Sequence, residues 1–176
     1  MKALVPFSLP ISGLRDGMHT FRFEVDEEFF QCFEGSVIHE SNLVVVLTLD
    51  KRPSLMVLQF EFEGTVRVEC DRCLEPFDLP IKAAQDLLVK YDEEPREEAE
   101  VIYIEKGTPS LSVAKYVYEF IHLAVPLHKT HDEAGAECDP EMMQFISKQE
   151  DFPEEPDAEN PADSIWSDLK KKWSDN

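Results

Sequence analysis

The stretch MVLQFEFEGTVRVEC, residues 56–70, keeps a single alternation from end to end. Met56, Leu58, Phe60, Phe62, Val66, Val68 and Cys70 fall on even positions, and Gln59, Glu61, Glu63, Arg67 and Glu69 on odd ones. Successive side chains of a strand point to opposite faces, so this pattern predicts a half-buried strand with Cys70 on its core side. One inserted bulge residue would switch the parity. The parity survives Gly64, which therefore marks a bend.

Working outward, the apolar phase moves to odd positions after the cysteines, at Phe77, Leu79, Ile81, Ala83, Leu87, Val89 and Tyr91. That shift predicts a returning antiparallel strand, with Cys70 and Cys73 at the closed end of the hairpin. Upstream, LVVVLTL (43–49) is apolar on both parities and suits a central strand, connected to the next through Lys51 to Ser54. Phe21, Phe23 and Val25 form a shorter alternating stretch. Helical spacing appears later. Val113, Val117, Phe120, Ile121 and Ala124 follow Pro109 and Ser110 and stop at Pro126, and a second helix is expected from Asp139 and Pro140, carrying Met142, Met143, Phe145 and Ile146. Asp92 to Glu100, with six acids and one arginine, reads as an exposed loop. The expected fold is α+β: an antiparallel β-sheet, open or barrel-like, with C-terminal helices and a flexible acidic tail.

Residues 1–148 are expected to form one α+β domain, a size at which a single chain buries a proper core. From Gln149 to Asp163 there are seven acids, three prolines and no basic residue, the composition of a linker. Residues 164–176 make a short amphipathic tail rich in lysine and tryptophan. Across the chain, 37 acidic residues against 17 basic ones give a net charge of −20, which repels phosphate backbones and attracts basic proteins. Broad charge-driven binding of nucleic acid is disfavoured, and solubility alone is the plainer use of such a surface. Pro6 and Pro10 interrupt the apolar residues 3–14, so neither a signal peptide nor a membrane partner is expected. Four unevenly spaced cysteines fit a reducing cytoplasm better than a disulfide framework.

Two cysteines at i and i+3 in a tight turn can aim both sulfurs at one point, as zinc knuckles do, but they supply only half a site. The remaining candidates lie in PLHKTHDEAGAEC, residues 126–138. Cys70, Cys73, Cys138 and one histidine, His131 ahead of His128, would complete a tetrahedral zinc set. Beside it stands the plainer reading, with Cys70 in the core, Cys73 filling a turn and both histidines exposed. Redox catalysis fits poorly, because the pair follows a strand instead of opening a helix and has only Arg72 nearby to offset the negative charge. The sequence holds no recognisable nucleophile motif and no glycine-rich phosphate loop. Trp166, Leu169, Lys170, Lys171, Lys172 and Trp173 offer a basic-aromatic patch for RNA or a partner's groove, unless the segment folds back on its own domain.

The long alternating strand running into VECDRCLEPFDLPI (68–81), the later YEFIHLAVPLHKTH (118–131) followed by Cys138, and the closing IWSDLKKKW (165–173) together resemble the large ribosomal RNA subunit accumulation protein family, also called YceD-like. The most specific piece is the C-x-R-C-L turn of Cys70, Arg72, Cys73 and Leu74. The resemblance implies a non-catalytic factor that supports accumulation of large-subunit 23S ribosomal RNA. Some members carry more cysteines after the helix, where this chain has His128, His131 and Cys138. With the charge, it implies as partner a basic large-subunit ribosomal protein or a pre-ribosomal particle, with ribosomal RNA reached through the C-terminal tail. Two competing readings are a metal-assisted enzyme acting on ribosomal RNA and a zinc-stabilised interaction module.

Overall fold

A computed structural model describes residues 3–98 and 100–147. In chain order these form β1 (Ser8–Leu9), β2 (Gly17–Val25), α1 (Glu27–Phe30), β3 (Ser41–Lys51), β4 (Leu55–Glu69), β5 (Pro76–Asp92), β6 (Arg96–Glu98), β7 (Val101–Glu105), β8 (Leu111–Ser112), α2 (Ala114–Ala124) and α3 (Pro140–Ser147). The chain divides into two compact units, Met1–Asp139 and Pro140–Asn176. Among the described residues all strands lie in the first, and α3 opens the second at the proline expected to start it. The acidic linker, 149–163, and the tail, 164–176, lie outside the described residues.

The alternating stretch is β4. It pairs antiparallel with β3 on one side and with β5 on the other, from Leu55↔Lys90 to Glu69↔Pro76. Gly64 sits opposite Leu43 and Ile81 with no break in either register, so the strand bends there without a bulge. Its φ of 148° and the closeness of β3 both require glycine: a Cβ at this position would lie 2.1 Å from the Asn42 carbonyl oxygen. Even positions of β4 and odd positions of β3 and β5 share one face, where Leu47, Leu58, Phe60, Phe62, Leu79 and Val89 are all buried. Helix α2 covers this face, setting Phe120 edge-on against Phe60 and Phe62. It ends at Val125, which is extended because Pro126 disfavours helical backbone in the residue before it. A second aromatic cluster joins Phe7, Phe23, Phe29 and Phe30 beneath the N-terminal segment, and the pairing of β1 with β8 ties that segment to the entry of α2.

The α+β class holds: the six-stranded sheet, ordered β2-β3-β4-β5-β7-β6, is open instead of barrel-like, and antiparallel except where β7 pairs with β5. After β5 the chain runs back as β6 one position out and returns as β7 between the two, so β7 lies parallel to β5 without a long crossover. The acidic run 92–100, expected as a loop, contains β6. Some of its charges are paired: within the run Arg96 pairs with Asp92 and Glu98 and stacks 3.6 Å over the Tyr103 ring, and from outside it Lys115 pairs with Glu97, which also accepts from Tyr116 Oη at 2.7 Å. Short and heavily charged, β6 also makes a sheet edge poorly suited to pairing with another chain.

Candidate metal centre

Between β4 and β5 the chain turns over residues 70–75. The turn closes when the Leu74 N–H donates to the Cys70 carbonyl at 2.9 Å and the Cys70 N–H to the Glu75 carbonyl at 3.0 Å, with Leu74 in the left-handed region at φ 61°. A second segment, which leaves α2 and passes through a 3-10 turn at His131–Ala134, is fastened to it. The Asp71 N–H donates to the Lys129 carbonyl at 2.7 Å, the Lys129 N–H returns a bond to the Asp71 carboxylate at 2.6 Å, and Arg72 pairs with Asp132 at 2.6 Å. The Lys129 N–H, followed by its ammonium, holds the Asp71 carboxyl below its ordinary range. Gly135, left-handed at φ 70°, ends the 3-10 turn and redirects the chain toward Cys138.

These ties gather Cys70, Cys73, His131 and Cys138 so that their ligand atoms all lie within 4.8 Å of one another. Zinc in a tetrahedron, with Zn–S of about 2.3 Å and Zn–N of about 2.0–2.1 Å, requires S···S edges near ~3.8 Å and S···N edges near ~3.6 Å. Here Cys70 Sγ lies 3.7 Å from Cys138 Sγ, and Cys73 Sγ lies 3.4 Å from His131 Nδ1. These two edges match a zinc tetrahedron, and the set as a whole, spread within 4.8 Å, closes around such an ion with shifts of no more than about 1 Å. Cys70, Cys73 and His131 are buried, and the His131 ring packs on Phe77 at 4.7 Å. His128 is exposed and stands outside the group.

The electrostatics suit a cation. Burial pushes the Cys70 thiol up, but the backbone N–H groups of Cys73 and Arg72, joined by those of His131 and by its ring, outweigh it and hold Cys70 at about 6. Cys138 is pushed up by its own burial and by the Cys70 and Cys73 sulfurs. One thiolate thus forms readily while its neighbour resists, a conflict that a divalent ion between them removes. Four protein ligands fill a tetrahedron and leave no open position for substrate, the pattern of a structural zinc site. Cys32 takes no part; its thiol donates to the Glu28 carbonyl at 3.4 Å.

The large ribosomal RNA subunit accumulation protein YceD family matches residues 58–171. The chain belongs to this family. The YceD match begins inside β4 and takes in the whole of α2 and all four members of the cysteine-histidine group. No curated protein and no solved structure matches the chain. The basic-aromatic patch expected at Trp166, Leu169, Lys170, Lys171, Lys172 and Trp173 lies outside the described residues. Sequence reasoning missed His122, whose ring lines a cleft beside the metal turn. Nothing in its spacing signals that position.

Proposed function

We propose that this chain is a non-catalytic factor in the biogenesis of the large ribosomal subunit, supporting accumulation of 23S ribosomal RNA by holding a basic ribosomal protein or a pre-ribosomal particle. The observation that carries the reading is the YceD match over residues 58–171 in a chain of net charge −20. A surface so acidic repels ribosomal RNA as a whole but attracts the cationic proteins that coat it, and speeds their capture. Zinc held by Cys70, Cys73, His131 and Cys138 supplies structure in this reading, binding the segment after α2 to the end of the hairpin. A closed ligand set also argues against a metal-assisted nuclease, which needs an open coordination position or oxygen-ligated magnesium.

The tail from Trp166 to Trp173 adds a local contact to protein or RNA through aromatic faces and the three lysines. No helix among the described residues is long and apolar enough to cross a membrane, and the reading places the protein in the cytoplasm, where subunits assemble. Affinity capture from a cell extract at low and at high salt tests it. Basic large-subunit proteins should be retained at low salt and lost as salt rises, and recovery of none of them would overturn the proposal.

A further inference from the structure

The four donors of the cysteine-histidine group are not equally shielded. Cys70, Cys73 and His131 are buried, whereas Cys138 is half-buried and follows residues 132–137, every one of them exposed. Cys70 and Cys73 belong to the turn that closes the β4–β5 hairpin, and His131 opens the 3-10 turn fastened to it through Asp71 with Lys129 and Arg72 with Asp132. Cys138 comes last, beyond the left-handed Gly135, and its sulfur stands 3.7 Å from Cys70 Sγ, 68 residues away in the chain. Two sulfurs at that separation are in van der Waals contact. Cys73 has a different near neighbour, His131 Nδ1 at 3.4 Å. The group thus holds one sulfur that solvent reaches and, touching it, one that solvent does not. That is the arrangement of an attacked thiol beside a resolving thiol.

We propose that Cys138 is an oxidation site, at which a hydroperoxide converts the metal-binding group into a Cys70–Cys138 disulfide. The inference rests on the reading of this group as a zinc site, in which Cys138 is held as a thiolate, the form that acts as a nucleophile. The Cys138 sulfur attacks the O–O bond of the peroxide and forms an S–O bond as sulfenic acid, while the other oxygen leaves as an alcohol, or as water from hydrogen peroxide. The Cys70 thiolate then attacks the Cys138 sulfur; the S–S bond forms, the S–O bond breaks, and the departing hydroxide is protonated. Two thiolates, one hydroperoxide and two protons become one disulfide, one alcohol and one water, and two electrons pass from sulfur to peroxide oxygen. Cys73 and His131 remain as half of a tetrahedral set, too few to retain zinc. The new bond still ties the segment after α2 to the end of β4. A link that a chelator removes is exchanged for one that a thiol reductant removes.

Hydrogen peroxide in slight molar excess over the full chain, purified under reducing conditions, tests the proposal. Zinc release is followed with a chromophoric chelator, and linkages are read by peptide mass spectrometry after free thiols are blocked. The wild type should release about one zinc per chain in step with a Cys70–Cys138 linkage, and a dithiol reductant with added zinc should restore the starting state. Cys32 is also half-buried but belongs to no sulfur group, so it should stay reduced while Cys138 reacts, and Cys32→Ser should leave rate and linkage unchanged. Cys138→Ser, which removes the exposed sulfur, should slow consumption of peroxide about tenfold or more. The inference is overturned if Cys32 oxidises first, if the linkage joins Cys70 to Cys73, if oxidation halts on Cys138 without a linkage, or if the linkage forms only after unfolding in urea. A chain that arrives without metal yet forms the Cys70–Cys138 linkage upholds the oxidation site and removes only the zinc reading.

Discussion

Gly64→Ala tests whether the alternation of β4 reflects one continuous, closely packed strand. The added Cβ would stand 2.1 Å from the Asn42 carbonyl oxygen and 2.9 Å from Leu43 Cα. Both are backbone atoms of β3, so no side-chain rotation relieves the contact, and β3 must draw away by about 1 Å to reach the ~3 Å that Cβ atoms tolerate. That movement loosens the rungs around Leu43↔Gly64. Alanine must also hold the φ of 148° that only glycine adopts without strain, which adds about 1–3 kcal/mol. Together these predict a loss of about 3–5 kcal/mol, a large part of the ~5–15 kcal/mol that holds a domain of this size. Equilibrium urea unfolding followed by far-ultraviolet circular dichroism measures it. A loss below about 1 kcal/mol would mean that β3 and β4 do not approach as described and that the register through Gly64 is wrong.

Chain purified without added metal should contain about one zinc by elemental analysis; Cys138→Ser and His131→Ala should lose it while His128→Ala retains it, and a folded, metal-free wild type would remove the structural role assigned to the group. Tyr116 supplies a pH prediction: burial first, and then its bond to Glu97, push its phenol above the ordinary value. A group with a raised folded pKa contributes stability that is complete below its unfolded value, near ~10, and is lost as pH rises beyond it. Tyr116→Phe should therefore flatten the fall of stability above pH ~10, and an unchanged slope in alkaline urea titrations would contradict the assignment.

Much of this fold was legible because local pattern and tertiary burial agree. The even positions of β4 and the odd positions of β5 are apolar in sequence and turn inward in space, and α2 starts and stops close to Ser110 and Pro126, as its spacing predicts. Strands β6 and β7 were hidden for opposite reasons. The charges of β6 read as those of a solvated loop, and what holds it as a strand, its pairing with β7 and the contacts of Arg96 with Tyr103 and of Glu97 with Lys115 and Tyr116, leaves no local period; β7 has five residues whose pairing is set by β5 and β6. The short helix α1, which buries Phe29 and Phe30, also lacked a recognisable period. In the metal group, Cys70 and Cys73 announce themselves by spacing. His131 and Cys138 do not, because a 3-10 turn and the left-handed Gly135 bring them into place, and no fixed ligand interval encodes that path. The His122 cleft depends on three segments meeting and has no linear trace.

The claim that this chain captures a cationic large-subunit component without making or breaking bonds is tested most directly by sedimenting the purified protein with large-subunit precursor particles across a salt series, and analysing the RNA afterwards. The account predicts co-sedimentation at low salt, progressive release as salt rises, and ribosomal RNA left intact. Binding indifferent to salt, or RNA cleaved or modified by the protein alone, would contradict it.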